Sequence, residues 1–345
     1  MGRNLLWASL ALTPVALVVR YAFDAGDTAV FVLAALALVP LAWLVGEATE
    51  HVAEHTGPGI GGFVNASFGN APELIIALFA IADGLPNVVR GSIAGSVVSN
   101  LLLVLGLAVV VGGDRPLDRR SLLLQLGLIL AALILFLAPS VPGWHGNPDR
   151  HALFVVSLPI AAALLALYLA TTLANLRVHA DAQRAAPSKH AWPLRVGLGV
   201  LGAATVATAF VSELLVHSLD TFGRALGLSQ FFVSVVIVAI VGNAAEHGGS
   251  VVVARRGNMR LASEIAVSST AQVAVFVTPA IVLVSCLVGR GLPLSFRAVE
   301  LATMALATVA VAAVAVRGRS QRWHGVTLMG AYVAVAVWYG LAGDR

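Results

Sequence analysis

Two glutamates lie inside long apolar segments and share the same local sequence. Glu73 ends the stretch GNAPE and Glu246 ends the stretch GNAAE, so the pattern G-N-A-x-E recurs at an offset of 173 residues. A charged side chain at membrane depth costs about 3 kcal/mol or more and usually lines a cavity or an ion path. The repeated pair therefore predicts a transport role for both carboxylates.

The residues around each glutamate could complete a binding site. Asn70 and Asn243 each precede their glutamate by three residues, a spacing that places amide and carboxylate on one helix face. Gly69 and Gly242 allow another backbone to come close, and Pro72 removes one helical N–H and is expected to free backbone carbonyl groups. Broken helix at membrane depth is tolerated only where it lines a cavity or is buried in protein.

Such a set of oxygen atoms suits a hard cation. Carboxylate, amide, carbonyl and hydroxyl oxygens are typical ligands of Ca²⁺ or Na⁺ rather than of soft metals. Two carboxylates can neutralise one divalent ion, and they can hold protons after it leaves, because burial disfavours the charged form of a carboxyl group. A pair of groups that binds either a cation or protons is the minimum chemistry of an antiporter.

Four further polar residues could be ligands or support the ligands. Ser96 and Ser269 are also separated by 173 residues, and Ser99 and Gln272 lie close to them in the sequence. Serines commonly mediate helix packing in membranes, so both roles stay open. His247 directly follows Glu246 and could tune that carboxylate or carry protons.

The composition indicates what kind of scaffold positions these residues. The chain has 345 residues, of which 59% are hydrophobic and 11% charged, and its mean hydropathy is +0.92. A soluble domain has about 25% charged residues. Runs of about 20 apolar residues recur along the chain, each long enough to cross a bilayer core of about 30 Å. The sequence therefore predicts an all-α polytopic membrane protein.

Several other classes are excluded by the same features. The apolar runs do not alternate as the strands of an outer-membrane barrel do. The basic residues lie in short loops, which membrane topology explains better than nucleic-acid binding. A single cysteine, Cys286, cannot form a disulfide framework, and no CxxC motif is present.

We predict eleven transmembrane helices. The first is interpreted as a membrane helix and not a cleaved signal peptide, because Arg20 and Tyr21 end it where small residues would mark a cleavage site. The excess of arginine and lysine in alternate loops places the N-terminus in the cytoplasm and the C-terminus outside. The predicted spans are 5–21, 29–49, 59–82, 88–112, 121–140, 151–174, 194–217, 229–254, 261–289, 294–316 and 324–342.

This topology predicts two inverted five-helix repeats. The predicted domains are a leading helix in 1–28, a first repeat in 29–176, a cytoplasmic connection in 177–193 and a second repeat in 194–345. The spans that carry the two G-N-A-x-E motifs run in opposite directions. Inverted repeats are typical of secondary transporters, whose site lies near the membrane midplane at the repeat interface. Five other ionisable residues are interpreted as solvated groups at span ends: Glu213, His217, Asp220, Glu264 and Glu300.

The stretches GEATEHVAEHTGPGIGGFVNASFGNAPELIIALFA and VGNAAEHGGSVVVA resemble the cation/proton exchanger branch of the calcium/cation antiporter superfamily. The resemblance extends from span 2 to span 11 and implies exchange of Ca²⁺ for H⁺ on a fold of eleven helices. The central connection lacks the acidic run of some members, so the sequence leaves open whether the cation is Ca²⁺ or a monovalent ion such as Na⁺ or K⁺. The resemblance places a central carboxylate pair on Glu73 and Glu246, other ligands on Asn70, Asn243, Ser96, Ser269 and Gln272, and a further family glutamate on Glu50.

A different enzyme class is suggested by residues 51–55. His51, Glu54 and His55 match H-x-x-E-H, the signature of a zinc peptidase, but no third ligand is evident. We favour another interpretation, in which Glu47, Glu50 and Glu54 form one acidic stripe that leads a cation or protons from the cytoplasm toward the site.

A cation channel is the third alternative, although channels are usually symmetric oligomers around a pore. The favoured function is thus Ca²⁺/H⁺ exchange in a bacterial inner membrane. Its expected partners are Ca²⁺, H⁺ and the lipid bilayer, with no nucleic acid and no cofactor. The sequence does not specify an oligomeric state.

Overall fold

The computed structural model describes residues 2–23, 25–144, 150–179 and 191–343. These residues form helices and connections, and they contain one isolated backbone bridge, Pro116 with Arg319, but no longer strand. The predicted all-α architecture is confirmed. Most of the predicted central connection, residues 180–190, lies outside the described part of the chain.

Sixteen α-helices and three π-helical turns make up the described chain. The π-helical turns are Ser99–Val104, Val233–Val238 and Val273–Val277, and each continues directly into an α-helix. The α-helices are α1 Gly2–Ser9, α2 Leu12–Tyr21, α3 Asp27–Gly69, α4 Ala71–Ala82, α5 Pro86–Val98, α6 Leu105–Gly112, α7 Arg119–Gly143, α8 Arg150–His179, α9 Leu194–Leu226, α10 Gln230–Phe232, α11 Ala239–Gly242, α12 Ala244–Arg255, α13 Met259–Gln272, α14 Thr278–Ser285, α15 Ala298–Val316 and α16 Arg322–Ala342.

The helices are long and apolar enough for a protein that crosses the membrane many times. In the described residues, nine helical segments meet the length and hydropathy of a span. The number is ten if Gln230–Gly242 and Ala244–Arg255, which meet at a bend of 57°, count as one span. Ala71–Ala82 is a shorter apolar helix. The predicted number of eleven is therefore approached but not reached by this criterion.

The largest difference from the predicted spans is at α3. The sequence predicts a connection between residue 49 and residue 59, whereas α3 is one helix of 43 residues, Asp27–Gly69. The reason is local, because the polar residues after 46 are compatible with helix. Thr49 and Thr56 donate their hydroxyls to carbonyl groups one turn earlier, and Glu47 lies 3.7 Å from His51 at spacing i, i+4.

The chain packs as two compact units, Met1–Phe79 with Ala166–Gly227, and Ala80–Leu165 with Leu228–Arg345, here called unit 1 and unit 2. In unit 1, α3 packs along α9. Phe31 stacks on Phe222 with ring centroids 4.1 Å apart. The core of this unit is formed by Val45, Ala48, Val52, Ala71, Leu201 and Ala204.

Close helix packing in unit 2 depends on Gly95 of α5. A Cβ atom at this position would lie 1.9 Å from the carbonyl oxygen of Val235 and 2.6 Å from the Cβ of Ala239. Only glycine fits there, as is common where membrane helices approach closely. This contact brings α5, which also carries the next residue, Ser96, against the π-helical turn Val233–Val238 and α11.

An extended segment joins α14 to α15 where the sequence predicts spans ending at 289 and starting at 294. Backbone inside a membrane protein must be hydrogen-bonded when it is not helical. Ser285 accepts the Leu292 N–H at 2.9 Å, Ser157 accepts the Leu294 N–H at 2.9 Å, and Ser140 accepts the Phe296 N–H at 3.0 Å. Three serines thus take the place of helical hydrogen bonds.

Candidate functional site

Both G-N-A-x-E motifs break their helix at the asparagine. Asn70 separates α3 from α4 with φ −99° and ψ 18°. Asn243 separates α11 from α12 with φ −96° and ψ 17°. Both residues thus adopt the sparsely populated region between helix and strand, which is frequent at functional sites.

The break does not depend on proline. The sequence predicts that Gly69, Asn70 and Pro72 together open the first helix. The second motif has Ala245 at the position equivalent to Pro72 and forms the same break. Pro72 is the second residue of α4, where a proline is tolerated because its N–H would have no helical partner. A proline is therefore not required for such a break, and the shared asparagine marks it.

Each glutamate lies in the first turn of the helix that restarts after the break. Glu73 is in the first turn of α4, and Glu246 is in the first turn of α12. The backbone is equivalent too, since the Leu74 N–H donates to the Asn70 carbonyl at 3.1 Å and the His247 N–H donates to the Asn243 carbonyl at 3.0 Å. The first turn of a helix favours negative charge, because its N–H groups point toward the terminus.

In unit 2 the second break is held by a buried polar network. The Asn243 amide donates to the Ser96 hydroxyl at 2.8 Å and to the Ala239 carbonyl at 2.9 Å. The Asn100 amide donates to Asn243 Oδ1 at 3.0 Å and to the Ser269 hydroxyl at 3.3 Å. All four side chains that join this network are buried. The network connects α5, the first π-helical turn, the break and α13.

Three predicted residues, Ser96, Asn243 and Ser269, thus come together, and Asn100 is a fourth that the sequence analysis missed. Asn100 is fully buried, and its Oδ1 has no hydrogen-bond partner among the described residues. An unsatisfied amide oxygen in a polar, buried place is a suitable ligand for a cation. The available signal was an asparagine inside the apolar run SNLLLVLGL.

Three other predicted residues of unit 2, Ser99, Gln272 and His247, lie within four residues of members of this network in the sequence. The Ser99 hydroxyl donates to the Ser96 carbonyl at 3.3 Å and so bonds within its own helix. Ser99 begins one π-helical turn and Gln272 immediately precedes another. Single π-helical turns inside α-helices are frequent at functional sites. His247 is half-buried, and its Nε2 has no hydrogen-bond partner in the described part of the chain.

The predicted acidic stripe lies on α3 in unit 1. Glu47 is half-buried, while Glu50 and Glu54 are exposed. His51 lies between them, with its Nε2 3.7 Å from the Glu47 carboxylate. Trp192 stacks on the His51 ring at 4.3 Å and donates its backbone N–H to His51 Nδ1 at 3.4 Å.

These contacts argue against the zinc-peptidase alternative. Both ring nitrogens of His51 face protein groups, and His55 Nδ1 lies 2.9 Å from the His51 carbonyl oxygen. No group of three or more histidine, cysteine or acidic side chains with metal-binding geometry occurs among the described residues. His51 packs against Trp192, and His55 bonds back to its own helix.

Comparison with known proteins agrees with the transport role that the repeated motif predicts. The profile of the sodium/calcium exchanger protein family matches residues 27–177 and 196–340. The chain belongs to the sodium/calcium exchanger protein family. The similar proteins named below are antiporters and not enzymes, which agrees with the prediction of a transporter from the sequence.

Three similar members of the exchanger family cover nearly the whole chain. The Ca(2+)/H(+) antiporter ChaA of Bacillus subtilis is 38% identical over 324 residues, which are 90% of this chain and 92% of that protein. The Ca(2+)/H(+) antiporter of Aphanothece halophytica is 34% identical over 334 residues, 90% of each chain. A solved structure of the Ca2+/H+ antiporter protein YfkE has a TM-score of 0.84 and 33% identity, covering 98% of this exchanger and 99% of that chain.

Proposed function

We propose that this exchanger moves Ca²⁺ across the membrane in exchange for H⁺. The observation that carries the proposal is the repeated asparagine break followed by a glutamate, in a chain similar over nine-tenths of its length to a Ca(2+)/H(+) antiporter. Broken helices at membrane depth are a common element of cation sites in secondary transporters. A channel would not require a carboxylate at each of two repeated motifs.

Glu73 and Glu246 bind the cation and protons in competition in this proposal. Charge is balanced in either state, because a divalent cation replaces the protons that leave the two carboxylates. Asn243 orients the second motif through its bonds to Ser96 and Asn100. The further residues assigned to cation and proton binding are Asn70, Gly69, Gly242, Ser96, Ser99, Ser269, Gln272 and Asn100, with His247 as a proton carrier.

The access path and the topology are part of the same proposal. Glu47, Glu50 and Glu54 lead cations or protons along α3, which is supported by the exposure of the latter two. We also propose the inverted repeats in 29–176 and 194–345, after a leading helix in 1–28 and joined by the connection 177–193. The N-terminus is cytoplasmic, and the membrane is the plasma membrane of a bacterium.

Everted membrane vesicles with a preformed pH gradient test the function. Added Ca²⁺ is expected to dissipate the gradient with the wild-type chain, whereas Glu73→Gln and Glu246→Gln vesicles keep it. Retention of the gradient with every cation would contradict the proposal. Calcium entry without proton movement would show a channel in place of an antiporter.

The same vesicles test a second candidate, exchange of Na⁺ or K⁺ for H⁺. This candidate is favoured by the family description, which names sodium beside calcium. Carboxylate, amide and hydroxyl oxygens also accept Na⁺. Dissipation by Na⁺ or K⁺ at concentrations at which Ca²⁺ has no effect would replace the calcium proposal by the monovalent one.

Cys286 provides a test of the proposed orientation. It is exposed, it is the single cysteine of the chain, and it lies just after α14, on the predicted outer side. A membrane-impermeant maleimide is expected to label it in intact spheroplasts. The matched control combines Cys286→Ser with Arg256→Cys at the opposite, predicted inner end, which labels only after lysis. The reverse pattern would invert the topology.

A further inference from the structure

One end of unit 2 carries many arginines and few acids. The connections 113–120, 255–260 and 317–322 contain two carboxylates, Asp114 and Asp118. We call these three connections the basic end. All nine of its arginines are exposed: Arg115, Arg119, Arg120, Arg255, Arg256, Arg260, Arg317, Arg319 and Arg322.

The three connections of the basic end lie together in space. The Leu117 N–H donates to the Gly318 carbonyl at 2.9 Å, and the Ser320 N–H donates to the Arg115 carbonyl at 2.9 Å. The third connection is adjacent, since a Cβ atom at Gly257 would lie 3.8 Å from the Arg115 guanidinium. The arginines therefore share one surface at the ends of helices that can cross the membrane.

The positive charge of this surface is not neutralised within the described chain. Asp114 accepts the backbone N–H of Arg322 at 3.3 Å, and Asp118 accepts that of Ser121 at 3.0 Å. None of the nine arginines forms an ion pair with a carboxylate in the part of the chain that the structure describes. Arg317 instead contacts the His324 ring nitrogen at 3.3 Å and lies over the Trp323 ring. The guanidinium groups without such a contact, among them Arg119 and Arg120, are available to an anion from outside the protein.

An open hollow of about 440 Å³ lies at this end, at the start of α7. Four side chains line it, those of Arg119 and Arg120 and those of Leu123 and Leu124. Leu124 is 64% exposed. The hollow combines cationic groups at the membrane boundary with leucines one turn further into an apolar helix.

We propose that this hollow binds an anionic phospholipid. Arg119 and Arg120 hold the headgroup phosphate, because guanidinium groups match phosphate oxygens in geometry and charge. Leu123 and Leu124 contact the upper part of the acyl chains. A zwitterionic lipid would place its own ammonium group against the two guanidiniums, and a free phosphate would leave the leucines exposed. Basic pockets at the ends of membrane helices are suited to anionic headgroups.

Native mass spectrometry of the delipidated full chain tests the site. The protein is titrated with phosphatidylglycerol and with phosphatidylcholine of the same acyl chains, and inorganic phosphate is added as a competitor. We expect tighter binding of phosphatidylglycerol. The double variant Arg119→Gln with Arg120→Gln should weaken it roughly 25-fold, about fivefold for each arginine.

The matched control is Arg255→Gln with Arg256→Gln, which removes the same charge from the basic end but not from the hollow. This control should stay within about threefold of wild type, because salt screens charges at a distance. Leu124→Ser keeps both guanidiniums and should weaken binding of the lipid. The effect of inorganic phosphate on that binding should stay unchanged. Thermal unfolding without lipid checks that each variant is folded.

Three outcomes would overturn the proposal. Equal binding of the two lipids would show that charge is not recognised. An equal loss in both double variants would indicate a diffuse surface potential and no site. Displacement of phosphatidylglycerol by inorganic phosphate at millimolar concentration would identify a free phosphate as the ligand.

Discussion

Two glutamates within the membrane helices of unit 2 have different surroundings. Glu300 is 1% exposed and accepts the Arg297 backbone N–H at 2.6 Å, which caps the start of α15. The sequence-based expectation of a solvated Glu300 was therefore wrong, because the side chain folds back onto its own helix end. Glu246 instead follows a helix break next to the Asn243 network. Position inside a span alone does not identify a transport group.

We expect Glu300→Gln to keep exchange activity, since an amide oxygen can still accept the Arg297 N–H. Glu246→Gln should abolish exchange, because an amide cannot release a proton or neutralise a cation. The measurement is calcium-dependent loss of a pH gradient in vesicles with equal amounts of protein. Loss of exchange in Glu300→Gln at unchanged thermal stability would assign Glu300 to the transport path.

A second prediction at the scale of one residue concerns Asn100. Asn100→Ala removes the donors to Asn243 and Ser269 and leaves buried acceptors unsatisfied, which costs about 1–3 kcal/mol. We expect a lower thermal unfolding midpoint and a raised KM for Ca²⁺. Tyr332→Phe is the control, because the buried Tyr332 hydroxyl has no hydrogen-bond partner among the described residues. Equal stability of wild type and Asn100→Ala would contradict the network.

The repeat explains which residues of the site were predictable from the sequence. Glu73, Asn70 and Ser96 each have a counterpart 173 residues later, so comparison of the two halves finds them. Asn100 has no such counterpart, since position 273 is valine. Its importance depends on packing between helices, which a repeat does not encode.

Helix ends were predicted less well than helices. Polar, charged residues between 47 and 56 predicted a loop, yet they continue α3, because charged residues with i, i+4 partners are good helix formers. The connection between α14 and α15 also differs from the prediction. Its backbone is satisfied by serines of α14, α8 and α7, and the contacts with α8 and α7 cannot be inferred from the local sequence.

Gly95 supports a prediction about packing between elements. Gly95→Ala would place Cβ 1.9 Å from the Val235 carbonyl oxygen. The helix α5 and the π-helical turn Val233–Val238 must therefore separate. We expect a large loss of folded protein, by fluorescence-detected size-exclusion chromatography, and loss of exchange. Gly127→Ala on α7 is the matched control. Its Cβ would meet nothing within 4 Å, and it should raise stability by about 0.5–1 kcal/mol. Normal folding of Gly95→Ala would contradict the packing.

At the scale of the whole molecule, composition determines the class but not the grouping of helices. With 59% hydrophobic and 11% charged residues, the chain can satisfy its backbone in a membrane only as helices. The two compact units, however, each take segments from both predicted repeats. Membrane helices associate through small residues and polar contacts, not through a one-sided apolar pattern, so hydropathy does not reveal their partners.

The proposed competition between Ca²⁺ and protons makes a prediction for the complete exchanger. A carboxylate must be deprotonated to bind a cation, so cation affinity depends on pH and binding releases protons. Below the pH at which the site titrates, KM for Ca²⁺ should rise as pH falls. The rise approaches about tenfold per pH unit for one displaced proton and about a hundredfold for two. At high pH the KM should become constant.

Calorimetry counts these protons directly and separates exchange from simple binding. Calcium is titrated into the purified chain in buffers of different ionisation enthalpy. The observed binding enthalpy is plotted against the ionisation enthalpy of the buffer, and the slope gives the number of protons released. If both carboxylates take part, wild type releases up to two, and Glu73→Gln or Glu246→Gln releases at most one with weaker binding. Glu300→Gln should release as many as wild type, since its carboxylate serves to cap α15. Calcium could also bind without proton release at every pH below the range in which KM is constant. That result would show that the cation and the protons do not share these groups, and coupling would then require another pair of sites.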